Sequence, residues 1–162
     1  MGVSNQHGGV GRELVLVAGL SPADVALVHR EALRVLRPGI DAAQLDAYSD
    51  APWPPAVLRS HDRVLSLARE AVAAGARSRR DDTGMGIDID VRDDAQFELM
   101  LDLVPHTINA EGWREGRAVF SASDSGTSLW MAVTQEQEAE LLSRLDALGI
   151  PSTALAVRPP GL

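Results

Sequence analysis

The sequence predicts an α+β protein, and three observations carry that prediction. Ile87 to Val91 (IDIDV) alternates apolar and acidic residues, the period of a strand with one buried face. Ala118 to Val133 (AVFSASDSGTSLWMAV) sets two strand-like runs around a short Gly-containing turn and reads as a β-hairpin. Ser21-Pro22-Ala23-Asp24 and Thr134-Gln135-Glu136-Gln137 are helix starts, because a hydroxyl cap stands three residues before an Asp or Gln and apolar residues follow at helical spacing.

Residues 1–12 are polar and Gly-rich, lack the charged-then-apolar order of a secretory signal, and are expected to be a disordered tail. Residues 13–158 are expected to make a single domain. Within it, Glu13 to Ala18 (ELVLVA) is short enough to be a strand and is ended by Gly19. Ser21 caps a helix with Pro22 in its first turn, carrying Val25, Val28, Ala32, Leu33 and Leu36, and Arg37-Pro38-Gly39 stops it. Asp41 is placed to cap a brief helix over AAQLDAY. Asp50 to Pro55 (DAPWPP) is too rich in proline for regular structure and is the best internal boundary. From Ala56 to about Ala76, Val57, Leu58, Val64, Leu65, Ala68 and Val72 form a one-faced helical stripe. The charged, Gly-containing ARSRRDDTGMG that follows is expected to be the most mobile segment.

After the strand at 87–91, Asp93 or Asp94 caps a helix carrying Phe97, Met100, Leu101 and Val104, closed by Pro105. Residues 106–114 then read as a loop leading into the hairpin. The helix begun at Thr134 uses Leu141, Leu142, Leu145 and Leu148, stops at Gly149-Ile150-Pro151, and gives way to a last strand over Ser152 to Val157. Residues 86–158 therefore read strand, helix, strand, strand, helix, strand. That order predicts a ferredoxin-like βαββαβ unit, an antiparallel four-stranded sheet with two helices, to which residues 13–80 add a helical extension and an extra edge strand.

Composition excludes whole classes of chemistry. All 15 basic residues are Arg, so Schiff-base chemistry, pyridoxal phosphate attachment and a P-loop lysine are out. Cys is absent, which removes thiol nucleophiles, disulfides, iron–sulfur ligation and thiolate zinc sites. With 23 acidic residues and a net charge of −8, the average field opposes nucleic acid and anionic membranes as partners. The apolar runs are shorter than a membrane span, and a cytoplasmic location is expected.

No motif specifies a reaction, no cofactor is expected, and the functional signal is a surface. If Ile87, Ile89 and Val91 face the helices with Phe120, Leu129, Met131 and Val133, the opposite face carries Asp88, Asp90, Ser121, Ser123, Ser128 and Trp130. Trp113 lies close by in the 106–114 loop. A Trp beside carboxylates and hydroxyls offers stacking area and polar contacts, which suits recognition of a protein partner or small molecule. Helices from residues 22–80 covering that face, or two copies meeting on it as a homodimer, are the competing arrangements. The catalytic alternative is a small enzyme using the loop residue His106 with Asp88 or Asp90, with or without a divalent cation. The turn Ser123 to Thr127 is compatible with anion binding, but ordinary hairpin chemistry explains it.

Overall fold

The computed structural model describes residues 11–79 and 82–159. Seven strands form one sheet: β1 (Arg12–Leu16), β2 (Ala42–Leu45), β3 (Ile87–Ile89), β4 (Asn109–Arg114), β5 (Arg117–Ser123), β6 (Ser128–Val133) and β7 (Leu155–Val157). Four helices accompany them: α1 (Pro22–Leu36), α2 (Leu58–Ala73), α3 (Asp94–Leu103) and α4 (Gln135–Ala147). The strand order is β3-β2-β4-β5-β6-β1-β7, and every neighbouring pair is antiparallel.

Local chemistry explains the helices. The Ser21 side chain accepts from Asp24 N–H at 3.1 Å, and Asp93 does the same for Gln96 at 3.0 Å. Thr134 and Gln137 form a reciprocal capping box at α4. Helix α4 ends where Ile150 N–H reaches back to the Leu145 carbonyl and Gly149 takes positive φ. Leu58 and Leu148, each 46% exposed, fall outside the apolar stripes assigned to their helices.

The sheet is larger than the ferredoxin-like four strands, and three local expectations change with it. First, Ala42–Leu45 is a strand and not a helix: its residues favour helix alone, but β3 and β4 pair with it on both sides, and Ala43 and Leu45 turn inward in alternation. The Asp41 carboxylate accepts from Glu115 N–H at 2.8 Å, across the β4–β5 turn. Second, most of the 106–114 segment is strand β4. Its inward residues are Ala110 and Gly112, so the alternation carries almost no hydropathy signal; a Cβ on Gly112 would lie 3.0 Å from Ile40 Cδ1. Third, β1 is no edge strand, for it lies between β6 and β7. The last strand is also shortened, because Ser152–Ala154 forms a 3-10 turn.

One layer of helices covers one face of the sheet. The core unites Leu14, Leu45, Ile89, Phe120, Leu129 and Met131 from the strands with Val28, Leu33, Val64, Met100, Leu101 and Leu141 from the helices. Three sets of polar and aromatic contacts join the helices to their surroundings. Glu31, only 7% exposed, pairs with Arg34 on its own helix and with Arg144 of α4 at 3.4 Å. Arg37 donates to the Val91 carbonyl at 2.7 Å, pairs with Asp94 at 2.6 Å and stands 4.1 Å over the Phe97 ring. Trp53, from the proline-rich segment, donates its indole N–H to the Tyr48 carbonyl at 2.8 Å and stacks on His61.

Beyond α2, the charged loop is tied where it is described. Arg77 donates to the carbonyls of Thr83, Met85 and Gly86, and Gly86 N–H reaches the Asp46 carboxylate at 2.7 Å.

Candidate functional site: the uncovered sheet face

Because side chains alternate along each strand, the residues between the core positions share the other face. The register joins one residue from every strand into a row: Asp88, Gln44, Glu111, Ser121, Trp130, Val15 and Ala156. The row crosses the whole sheet, about 29 Å from six interstrand spacings. Among the described residues no helix lies over it, and its members are half-buried or exposed, whereas their neighbours along β2 to β6 are buried; at the β1–β7 edge Leu16 is half-buried and Val157 is 45% exposed.

The face has two chemical halves. On the β3 side, Gln44 Nε2 donates to Asp88 Oδ1 at 3.1 Å and Asn109 Nδ2 to Glu111 Oε1 at 3.4 Å, a hydrogen-bonded and acidic patch. On the β1 side, Trp130 Nε1 donates to Glu13 Oε1 at 2.6 Å, and Arg158 reaches the same oxygen at 3.5 Å. The Glu13 carboxylate thereby fixes the indole edge and leaves the ring beside Val15 and Ser121. Ser123 and Ser128 are directly paired in the next row, with Asn109 as the third member. Trp113 occupies the same face two residues along β4 and two strands from Trp130, about 12 Å away by strand spacing and rise.

Asp88, Trp113, Ser121, Ser123, Ser128 and Trp130 thus share one face. Asp90 does not join them. It lies past the end of β3, where its carboxylate accepts from Arg92 N–H at 3.0 Å and its own N–H is bonded by Gln96, so it shapes the turn into α3. Sequence reasoning missed Glu13, Val15, Gln44 and Glu111. The alternation of Glu111 with Trp113 was available as a signal; Gln44 lay hidden in a segment with helical composition.

His106 stands elsewhere. It lines a cavity of about 380 Å³ with Val17, Val25, Pro105 and the hairpin tip, and no Asp or Glu is in that lining. Burial, and then the charge of Arg30, pushes its pKa below the ordinary imidazole value. The geometry does not bring it together with Asp88 or Asp90. The hairpin tip reaches this cavity because Asp124, Ser125 and Gly126 all take positive φ, folding the turn onto the loop after α3. A Cβ on Gly126 would lie 2.5 Å from the Pro105 carbonyl oxygen, so only glycine fits there. The amides of Asp124 and Ser125 are spent on the carbonyls of Ile108 and Thr107, which removes two donors that an anion would need.

The remaining histidines are structural or lie outside the described residues. His29 is fully buried in α1, with its Nδ1 bonded to the Val25 carbonyl at 2.8 Å. His61 is buried, with Nε2 bonded to the Ala47 carbonyl at 3.0 Å; its neighbour Asp62 comes to 4.0 Å of the other ring nitrogen. His7 falls outside the described residues. Among the described residues no three His, Asp or Glu side chains converge on a metal-sized site, and no helix is long and apolar enough to cross a membrane.

Fold and face together define a two-layer α+β protein: one antiparallel sheet, helices on one side, and a mixed polar–aromatic surface on the other. Compared with protein-family models, curated proteins and solved structures, the chain matches none.

Proposed function

We propose that the protein is a non-catalytic binding module that recognises a protein partner, or a small ligand, through the uncovered sheet face. The observation that carries this reading is the unbroken row from Asp88 to Ala156, in which one residue from each strand is left uncovered while the opposite parity in β2 to β6 is packed to near-zero exposure beside it. Trp130 and Trp113 supply flat contact area at low entropic cost, and the surrounding carboxamides and hydroxyls supply hydrogen bonds that set orientation. Asp88, Glu111 and Glu13 outnumber Arg158 on this face, and the chain carries −8 overall, so a basic partner surface is the electrostatic complement. Two copies meeting on the face would bury the same aromatic residues, but would set like charges against one another unless the acidic and aromatic halves cross.

The test is affinity capture from the source lysate with the wild type, Trp130→Arg, Glu111→Arg and a helix-side control, Arg63→Glu. A partner held by the wild type and the control but lost by both face variants supports the reading. Capture that survives both face substitutions overturns it. Sedimentation equilibrium on the same four proteins separates self-association, which would appear as a dimer broken by the face variants.

A further inference from the structure

A second feature lies at the end of the sheet where β4, β6 and β7 finish and β1 and β5 begin. A groove of about 640 Å³ crosses the ends of these five strands, with Arg114 and Val119 at one side and Val157 and Arg158 at the other. Four interstrand spacings give it a length of about 19 Å. Leu36, Val119 and Val133 contribute to an apolar floor, and Arg12, Arg114 and Arg158 stand around it.

The three arginines differ in what they already hold. Arg12 makes a two-bond pair with Glu138, at 2.7 and 2.6 Å, and Arg158 reaches Glu13 at 3.5 Å. Arg114 has neither an ion pair nor a side-chain hydrogen bond among the described residues. It lies alongside Gly39, where an added methyl group would be 3.8 Å from its Cδ and Nη1. It also stands directly across the β4–β5 hairpin from Arg117, which likewise has no acidic partner among the described residues. Like charges in directly opposed strand positions repel, and a bound anion would relieve that repulsion. Arg114 therefore sets a guanidinium with no acidic partner among the described residues beside an apolar floor, in a chain whose net charge is −8.

We propose that this groove is a binding site for an anionic amphiphile: a linear carboxylate with its head on Arg114 and its chain along Val119, Val133 and Leu36. The planar guanidinium matches a carboxylate in a two-bond geometry, the groove volume lies in the range of small-molecule sites, and its length accepts an extended chain. The chain's own residues 1–10 contain no Asp or Glu and do not supply the complementary charge. The groove adjoins the open face, with Glu13 and Arg158 at their common border, but Arg114 and the apolar floor lie outside that face and the inference does not depend on the open-face reading.

Isothermal titration with decanoate below its micellar concentration tests the proposal on the full chain. The expected result is saturable one-to-one binding, weakened roughly tenfold or more by Arg114→Gln, a change in one charge-assisted contact. Decanol, with the same body and no charge, and butyrate, with the same head and a short body, should each bind at least about tenfold more weakly, because each lacks one half of the recognition. Glu111→Arg should leave decanoate binding as in the wild type, which separates this site from the sheet face. Equal binding of decanoate by Arg114→Gln, or equal binding of decanol, overturns the proposal. So does the absence of saturable binding, the result expected if a second copy or the chain's own first residues fill the groove.

Discussion

His29 shows how one side chain couples burial to pH. Its Nδ1–H is donated to the Val25 carbonyl, which leaves Nε2 as a buried acceptor with no partner among the described residues. Burial is the main cause of its lowered pKa; the Val25 bond opposes the shift, and His106 and Arg30 add to it. The folded protein therefore keeps this ring neutral at a pH where the unfolded chain, near 6.5, has begun to take up a proton. Stability from this group is present above about pH 6.5 and is lost as pH falls toward the depressed folded value; His106 contributes with the same sign. Urea midpoints should thus decline between about pH 6.5 and 5 in the wild type. His29→Leu should shallow that decline while changing stability at pH 7 by no more than about 1 kcal/mol, since the lost Val25 bond is offset by removal of an unsatisfied buried nitrogen. An unaltered pH slope in the variant would show that the ring does not carry the effect.

At the level of elements, α1 is the part whose contacts reach furthest. Glu31 links it to α4 through Arg144, and Arg30 links it to the end of α3 by donating to the Leu101 carbonyl at 2.9 Å. Glu31→Ala removes a largely buried carboxylate shared by two exposed guanidinium groups, and those groups can turn to water. We expect a loss of about 1–2 kcal/mol, read as a lower urea midpoint with an unchanged m-value. All four helices were legible in the sequence because their signals are local: Ser21, Asp93 and Thr134 cap α1, α3 and α4 through bonds spanning three residues, and α2, which has no side-chain cap, shows a one-faced apolar stripe. The strands β2 and β4 were not. In β2 the composition favours helix, and only partners distant in sequence force the extended form; in β4 the inward positions are small because Ile40 packs against Gly112. The open-face set was legible in part for the same reason: Asp88 and Trp130 belong to strands whose inward neighbours are large and apolar, whereas Glu111 lies between Ala110 and Gly112, and Gln44 lies in a segment of helical composition.

For the whole molecule, the decisive fact is that chain order and sheet order disagree. Strand β1, from the start of the described chain, pairs Leu14 with Met131 on one side and Val157 on the other. The first half of the chain is therefore woven into the sheet. Leu14→Ala should cost about 2–5 kcal/mol, the range for truncating a buried Leu. The whole protein should still unfold in one transition: far-UV circular dichroism and the fluorescence of Trp53, Trp113 and Trp130, which are distributed over the helix layer and the sheet, should share a midpoint. A separate early loss of sheet signal would show that β1 and β7 are detachable from the rest. By itself the sequence determined the α+β class, the helices with their caps, the inward set of the hairpin and the chemistry excluded by the absence of Lys and Cys, since each follows from composition or from residues close in the chain. Only the tertiary structure decided that the sheet has seven strands, that β1 is internal, that Asp90 belongs to a turn, and that His106 and the strand carboxylates stand apart. Those outcomes depend on pairings between residues up to about 145 positions apart, and a strand's partner is chosen by the packing of the assembled face and not by its own residues.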